Sequence, residues 1–255
     1  MSLKPDSRLV SELTESLNCE PRRCSAPDML LLHYTGLADC AKAIDWLARP
    51  ESKVSCHYVI DVDGRIVQMV PEAMRAWHAG LSKWAGETDI NSASVGIEIH
   101  NPGHDLGYPA FPDVQMEAVI ALSKDIIARH AIRPERVLAH SDVAPVRKMD
   151  PGEKFDWARL ARAGVGHWVE PLPVVKSDRG MGMGYGGDLI SEIQEMFARY
   201  GYDIEATGEF EEKTHFVVTA FQRHFRPARV DGRIDQSTIT TLENLLTALP
   251  GARVA

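Results

Sequence analysis

Along the first two thirds of this chain, short apolar runs alternate with amphipathic stretches. Met29-Leu30-Leu31-Leu32 has the uniform apolar character of a strand covered on both sides, and His33 closes it. Ala43, Ile44 and Leu47 recur at helical spacing within 41–48, which Pro50 ends. Val54–Ile60 and Arg65–Val70 read as two strands joined through Asp61-Val62-Asp63-Gly64, a hairpin signal. Arg75–Gly80 reads as a loop exposing an aromatic and a histidine. In Ser94–Ile99 the pattern alternates, placing Val95, Ile97 and Ile99 on one face and Glu98 on the polar one. A stripe of Met116, Val119, Ile120, Ile126 and Ile127 predicts a helix over 113–130, and a strand over 137–139 then delivers His140. Strands alternating with helices, one hairpin among them, predict an α/β fold: a mixed β-sheet covered by helices.

The last third changes character. A Pro-rich and then Gly-rich linker is expected over 170–187, and amphipathic stripes follow over 189–200, 213–225 and 238–249. None of the three can bury its stripe alone, so they predict a small all-α three-helix domain. The domain reading is a lead-in over 1–27, a catalytic domain over 28–169, the linker, and a helical domain over 188–255. Gly182, Gly184 and Gly187 satisfy a dinucleotide-binding spacing, but no strand precedes them and no βαβ unit surrounds them, so they are read as linker.

Composition narrows the function. The 255 residues are 44% hydrophobic and 25% charged, with a formal charge of −8. An acidic chain without a basic stripe argues against nucleic acid as a partner. No apolar run approaches the roughly 18 residues of a membrane span, and the first ten residues lack the apolar segment of a secretory signal, so a cytoplasmic location is expected, export by another route staying open. Cys19, Cys24, Cys40 and Cys56 show no Cys-x-x-Cys spacing and are expected to be reduced thiols without assigned chemistry.

The candidate chemistry lies in 137–152. His140 ends an apolar run, Asp150 precedes Pro-Gly, and the segment between them can fold both side chains towards one point. A His and an Asp so placed supply two of the three protein ligands of a catalytic zinc, with His33 as candidate for the third. His57 and His78 compete for that role.

Leu-His-Tyr-Thr (32–35), Ser-Cys-His-Tyr-Val-Ile (55–60), Arg-Ala-Trp-His-Ala-Gly (75–80), Ser-Val-Gly-Ile-Glu-Ile (94–99) and Ala-His-Ser-Asp-Val-Ala-Pro-Val-Arg-Lys-Met-Asp-Pro-Gly (139–152) stand in this order. Together they resemble the zinc-dependent N-acetylmuramoyl-L-alanine amidases of the type-2 amidase family, relatives of the peptidoglycan recognition proteins. The resemblance implies one zinc ion per chain on His33, His140 and Asp150, Glu98 as general base and acid, and Lys148 as the cation facing the oxyanion. It implies hydrolysis of the amide between the lactyl group of N-acetylmuramic acid, the 1,6-anhydro form included, and L-alanine of the stem peptide. Partners would be peptidoglycan or muropeptide fragments. Trp77 and His78 are candidates for lining the substrate groove, with core packing the alternative for Trp77; Arg147 either meets a stem-peptide carboxylate or is a solvated cation. The rival reading is a metal-free muropeptide receptor, against which the full set of ligand positions speaks; a wall-degrading effector would use the same chemistry.

The tail pieces Thr219-Ala220-Phe221-Gln222-Arg223-His224-Phe225 and Val230-Asp231-Gly232-Arg233-Ile234 are similar to the type-1 peptidoglycan-binding domain. That implies a second weak contact with polymeric wall. It also implies separability: cutting near Gly180 is expected to leave a folded enzyme.

Overall fold

The computed structural model describes residues 4–250; the last five residues assigned to the helical domain, and the first three of the lead-in, lie outside them. In chain order the elements are β1 (Glu12–Leu13), β2 (Cys19–Pro21), β3 (Met29–Tyr34), α1 (Cys40–Ala48), β4 (Tyr58–Ile60), β5 (Ile66–Gln68), β6 (Met74–Ala76), α2 (Ile90–Ala93), β7 (Ser94–Ile99), α3 (Asp113–His130), β8 (Val137–Ala139), α4 (His140–Val143), α5 (Trp157–Arg162), α6 (Asp188–Tyr200), α7 (Glu212–Phe225) and α8 (Gln236–Ala248). Six strands form one mixed sheet in the order β1-β5-β4-β7-β3-β8, antiparallel only between β4 and β5. Strands β2 and β6 pair separately.

Local chemistry sets the element ends. Gly64, at φ +84°, closes the β4–β5 turn, where Asp61 N–H donates to the Arg65 carbonyl at 2.9 Å. Asp39 caps α1 by accepting from Lys42 N–H, and Asp235 caps α8 by accepting from Thr238 N–H. The strands expected over 54–60 and 65–70 are shorter than their apolar runs, because a ladder needs a partner as well as a pattern. The lead-in contributes more than expected: β1 extends the sheet along β5, and Ser16 and Asn18 are buried, their side chains bonded to backbone carbonyls. A two-residue strand has no periodicity to read.

The two faces of the sheet are covered differently. Leu30, Leu32, Ile97, Ile99 and Val137 pack against α3 through Met116, Val119, Leu122 and Ile126. On the opposite face, Val59, Val67 and Met69 pack under Ile44 and Leu47 of α1. At the β3–β8 side of that face, Met29, Leu31 and Leu138 belong to one continuous core with Ile193, Phe197, Val217, Phe221 and Leu245 of the C-terminal helices. The helical unit and the sheet therefore share a hydrophobic core.

Trp84 anchors this junction. It is 2% exposed, its ring 4.8 Å from Tyr202 and 5.9 Å from Tyr200, and a Cβ on Gly201 would lie 2.5 Å from its indole. Ala85 N–H donates to the Gly201 carbonyl at 2.7 Å. Across the same junction the rings of Trp157 and His224 stack at 3.7 Å. The segment over 170–187 is itself tied down, by Ser237 Oγ donating to the Leu172 carbonyl and by a bridge between Met181 and Ile234. Removing residues 181–255 would bare Trp84, Met29, Leu31 and Leu138, each full side chain having contributed about 1.5–3 kcal/mol by burial. The shortened chain is expected to be insoluble or to melt at least roughly 10 °C lower; a soluble product with an unchanged melting curve would show the shared core to be dispensable.

Candidate active site

Parallel pairing brings the site together. Register sets His33 opposite Glu98 and Leu32 opposite Ala139, so His33, Glu98 and His140 emerge at the same C-terminal edge of β3, β7 and β8. Such an edge is where ligands of open α/β sheets bind. The chain after His140 turns back through Arg147 N–H and Lys148 N–H donating to the Ala144 carbonyl, each at 3.0 Å. Ser141 N–H donates to the Asp150 carbonyl at 3.1 Å, which fixes the return.

Nδ1 of His33 lies 2.8 Å from Nδ1 of His140 and 3.1 Å from Oδ2 of Asp150, and Nδ1 of His140 lies 2.9 Å from that oxygen. All three residues are buried. The outer nitrogens have other commitments. Nε2 of His140 donates to the Ala79 carbonyl at 3.1 Å, and Nε2 of His33 meets Nδ1 of His78 at 3.0 Å, with Ser94 Oγ 3.4 Å beyond His78. In the tautomers these contacts favour, both Nδ1 atoms turn lone pairs on each other and on a carboxylate. Burial, then the neighbouring His140, pushes His33 down to about 4, so it does not supply a proton near neutrality. Two imidazole nitrogens and a carboxylate oxygen brought this close are a donor set that fits a divalent cation such as zinc. Among the described residues they form the one His/Cys/Asp/Glu group whose donor atoms all lie within 4.8 Å of one another.

The remaining candidates divide. Glu98 is half-buried beside the triad in a cavity of about 370 Å³, and its Oε2 has no hydrogen-bond partner. Burial, then the Asp150 charge, holds its carboxyl well above the usual range, while Lys148 opposes the shift. Lys148 and Trp77 line the same cavity, and Trp77 Nε1 has no partner either. His78 also touches the cavity but is 8% exposed, and its ring backs His33 rather than standing in the exposed loop expected over 75–80. Arg147 reaches the rim, where its guanidinium donates to the carbonyls of Ala79 and Leu81. His57 is buried farther back, accepting from Gly96 N–H and meeting Arg22, and does not enter the triad.

Several supports carried no role in the sequence reading. Asn91 Oδ1 accepts from the N–H groups of His78 and Ala79, holding the carbonyl that orients His140. Asp142, inside the quoted 139–152 stretch, accepts from Ala139 N–H at 2.8 Å. Its pattern of an acid two residues after a histidine was visible, but its partners were not.

A sequence profile described as "N-acetylmuramoyl-L-alanine amidase" matches residues 23–153, half of the chain. N-acetylmuramoyl-L-alanine amidase AmiD of Escherichia coli K12 is 39% identical over 86% of this chain and 82% of its own length. The chain belongs to the N-acetylmuramoyl-L-alanine amidase family. A second profile, "Putative peptidoglycan binding domain", matches residues 186–242. The solved structure of E. coli AmiD with the substrate anhydro-N-acetylmuramic acid-L-Ala-D-gamma-Glu-L-Lys superposes with a TM-score of 0.74 at 36% identity, covering 88% of this chain and 91% of that one. AmpDh3 of Pseudomonas aeruginosa in complex with anhydromuramic pentapeptide gives 0.70 at 32%, covering 85% and 90%. The 1,6-anhydro-N-acetylmuramyl-L-alanine amidase AmpD of Enterobacter cloacae, 41% identical, aligns with 42% of this chain. Both the mixed sheet and the helical tail of this amidase thus fall within the AmiD superposition, whereas the AmpD match leaves more than half of the chain uncovered.

Gly96 is what lets His78 stand behind His33: a Cβ there would lie 2.6 Å from the imidazole. Gly96→Ala is expected to destabilise the fold by about 1–3 kcal/mol in urea unfolding, the usual cost of overpacking a rigid site; an unchanged midpoint would mean the ring moves aside freely.

Proposed function

We propose that this amidase is zinc-dependent and hydrolyses the amide between the lactyl group of N-acetylmuramic acid, including its 1,6-anhydro form, and L-alanine of the stem peptide. The observation that carries this is the convergence of His33, His140 and Asp150 beside a carboxylate, Glu98 Oε2, that has no partner of its own. The anhydromuramic ligands of the AmiD and AmpDh3 structures support the choice of substrate.

Zinc held there would polarise the scissile carbonyl and make water a competent nucleophile near neutral pH. Glu98 takes the proton of the attacking water and passes it to the amide nitrogen as the C–N bond breaks, so that a carboxylic acid and the free amine of L-alanine result. Lys148, across the cavity, places an ammonium where negative charge develops on the carbonyl oxygen. Trp77 offers an indole face to the sugar-peptide junction. Arg147 acts on the protein itself: its bonds to Ala79 and Leu81 brace the loop whose carbonyl orients His140. His78 orients His33 in the same way.

No helix among the described residues is long and apolar enough to cross a membrane. We propose the cytoplasm as the site of action, supported by the exposed Cys24 thiol, a group suited to a reducing compartment.

His33→Ala and His140→Ala are expected to abolish zinc uptake by elemental analysis and amide cleavage by mass spectrometry of a defined anhydromuropeptide. Glu98→Gln should retain the metal and lower kcat on the order of 100-fold; normal turnover would remove Glu98 from its role.

The pH profile carries a separate expectation. A base works only when deprotonated, so activity is lost as pH falls through the Glu98 pKa, which burial and the Asp150 charge raise. Because the Lys148 charge opposes the upward shift, Lys148→Met should move this acid limb to still higher pH; movement to lower pH would contradict the assignment.

A further inference from the structure

Asp142 is the point at which the helical unit reaches the metal-ligand loop. Its carboxylate is fully buried and accepts three hydrogen bonds. One comes from Ala139 N–H at 2.8 Å, the residue before His140. The other two cross the junction: Tyr202 Oη donates to Oδ1 at 2.7 Å, and His224 Nδ1 donates to Oδ2 at 2.6 Å.

Neither donor is free to drift. Tyr202 is 3% exposed and packed edge-on against Trp84. The His224 ring is stacked at 3.7 Å on Trp157 and at 3.7 Å on Phe225, which sets its plane and aims Nδ1. The next residue back along α7, Arg223, has its Nε 3.5 Å from Glu153 Oε2, a charge contact three residues beyond Asp150. Val143 and Ala144 sit in the shared core, and Lys83 N–H donates to the Val143 carbonyl at 2.8 Å.

We propose that Tyr202 and His224, acting through Asp142, are positioning residues for His140. The C-terminal helices are then a constitutive part of the metal site's support, whatever contact they also make with wall polymer. A ligand backbone held by a buried, fully bonded carboxylate keeps its imidazole aimed when no metal is bound, and partners one layer out from a metal typically change its affinity by about 10–100-fold. This rests on the zinc reading above.

The test uses the full-length chain. Tyr202→Phe/His224→Phe keeps both rings and deletes both donors, and His224→Asn restores an N–H close to where Nδ1 stood. Zinc affinity is measured by chelator competition, kcat and KM on one anhydromuropeptide, and amide hydrogen exchange over 139–153. The expected result is zinc affinity weaker by roughly ten-fold or more, lower kcat at unchanged KM, faster exchange confined to 139–153, and partial recovery when Asn replaces Phe at 224. A lower melting temperature with zinc affinity, kcat and local exchange within twofold of the parent would reduce both residues to a packing role and overturn the proposal. Should the double variant not fold, Tyr202→Phe alone, which removes one oxygen, is read in the same assays against the same criteria. If the parent chain takes up no zinc, the metal reading fails by that measurement, while the exchange pattern still decides whether α7 holds the loop.

Discussion

Two imidazole nitrogens and a carboxylate oxygen within about 3 Å of one another form an arrangement that a protein does not reach by default. With the outer nitrogens turned to Ala79 and His78, the inner faces repel unless something positive stands among them. Keeping three such groups together requires rigid support on every side, and much of the surrounding structure can be understood as that support. Strand register sets His33 and His140 on adjacent rungs, Gly96 makes room for the ring behind His33, Arg147 and Asn91 hold the carbonyl behind His140, and the turn after Ala144 returns Asp150. Each is a small local commitment, and the site exists because they agree.

The same reasoning explains how Glu98 differs from Asp150, although both are carboxylates on one cavity. Asp150 faces the imidazoles; Glu98 has an unpartnered oxygen, is withdrawn from solvent and has a like charge nearby, offset only in part by Lys148. Environment, not residue type, separates an acid suited to holding a cation from one suited to moving a proton.

Much of this was legible in the residues. The alternation over 94–99 and the stripe over 113–130 match β7 and α3 residue for residue, because both are long enough to show their period, although β7, inside the sheet, is buried on both faces. Spacing offers His33, His140 and Asp150 as candidates with His57 and His78 in competition, and it is the resemblance to the amidase family that selects the trio the structure brings together. Other features have no local signature. Periodicity identifies which face of α6, α7 or α8 is apolar but not what lies against it, so nothing local marks Trp84 as the hub of an aromatic cluster with Tyr200 and Tyr202. His78 read as exposed because Ala-Trp-His-Ala-Gly resembles a turn; only the missing side chain at Gly96, on a strand two elements later, shows where the ring goes. Asp142 was unreadable for a similar reason, since two of its three donors are at least sixty positions away.

The shared core beneath β3 and β8 bears on how such tails can be exchanged between proteins. Independent modules can be recombined at their linkers, because nothing outside the module depends on it. Here a foreign helical bundle spliced on near 187 would have to reproduce an aromatic socket for Trp84, a seat for Leu31 and Leu138, and an Arg-His step on one helix at the spacing of Glu153 and Asp142. Exchange at this boundary is thus restricted to tails whose inner surface fits the same face of the sheet.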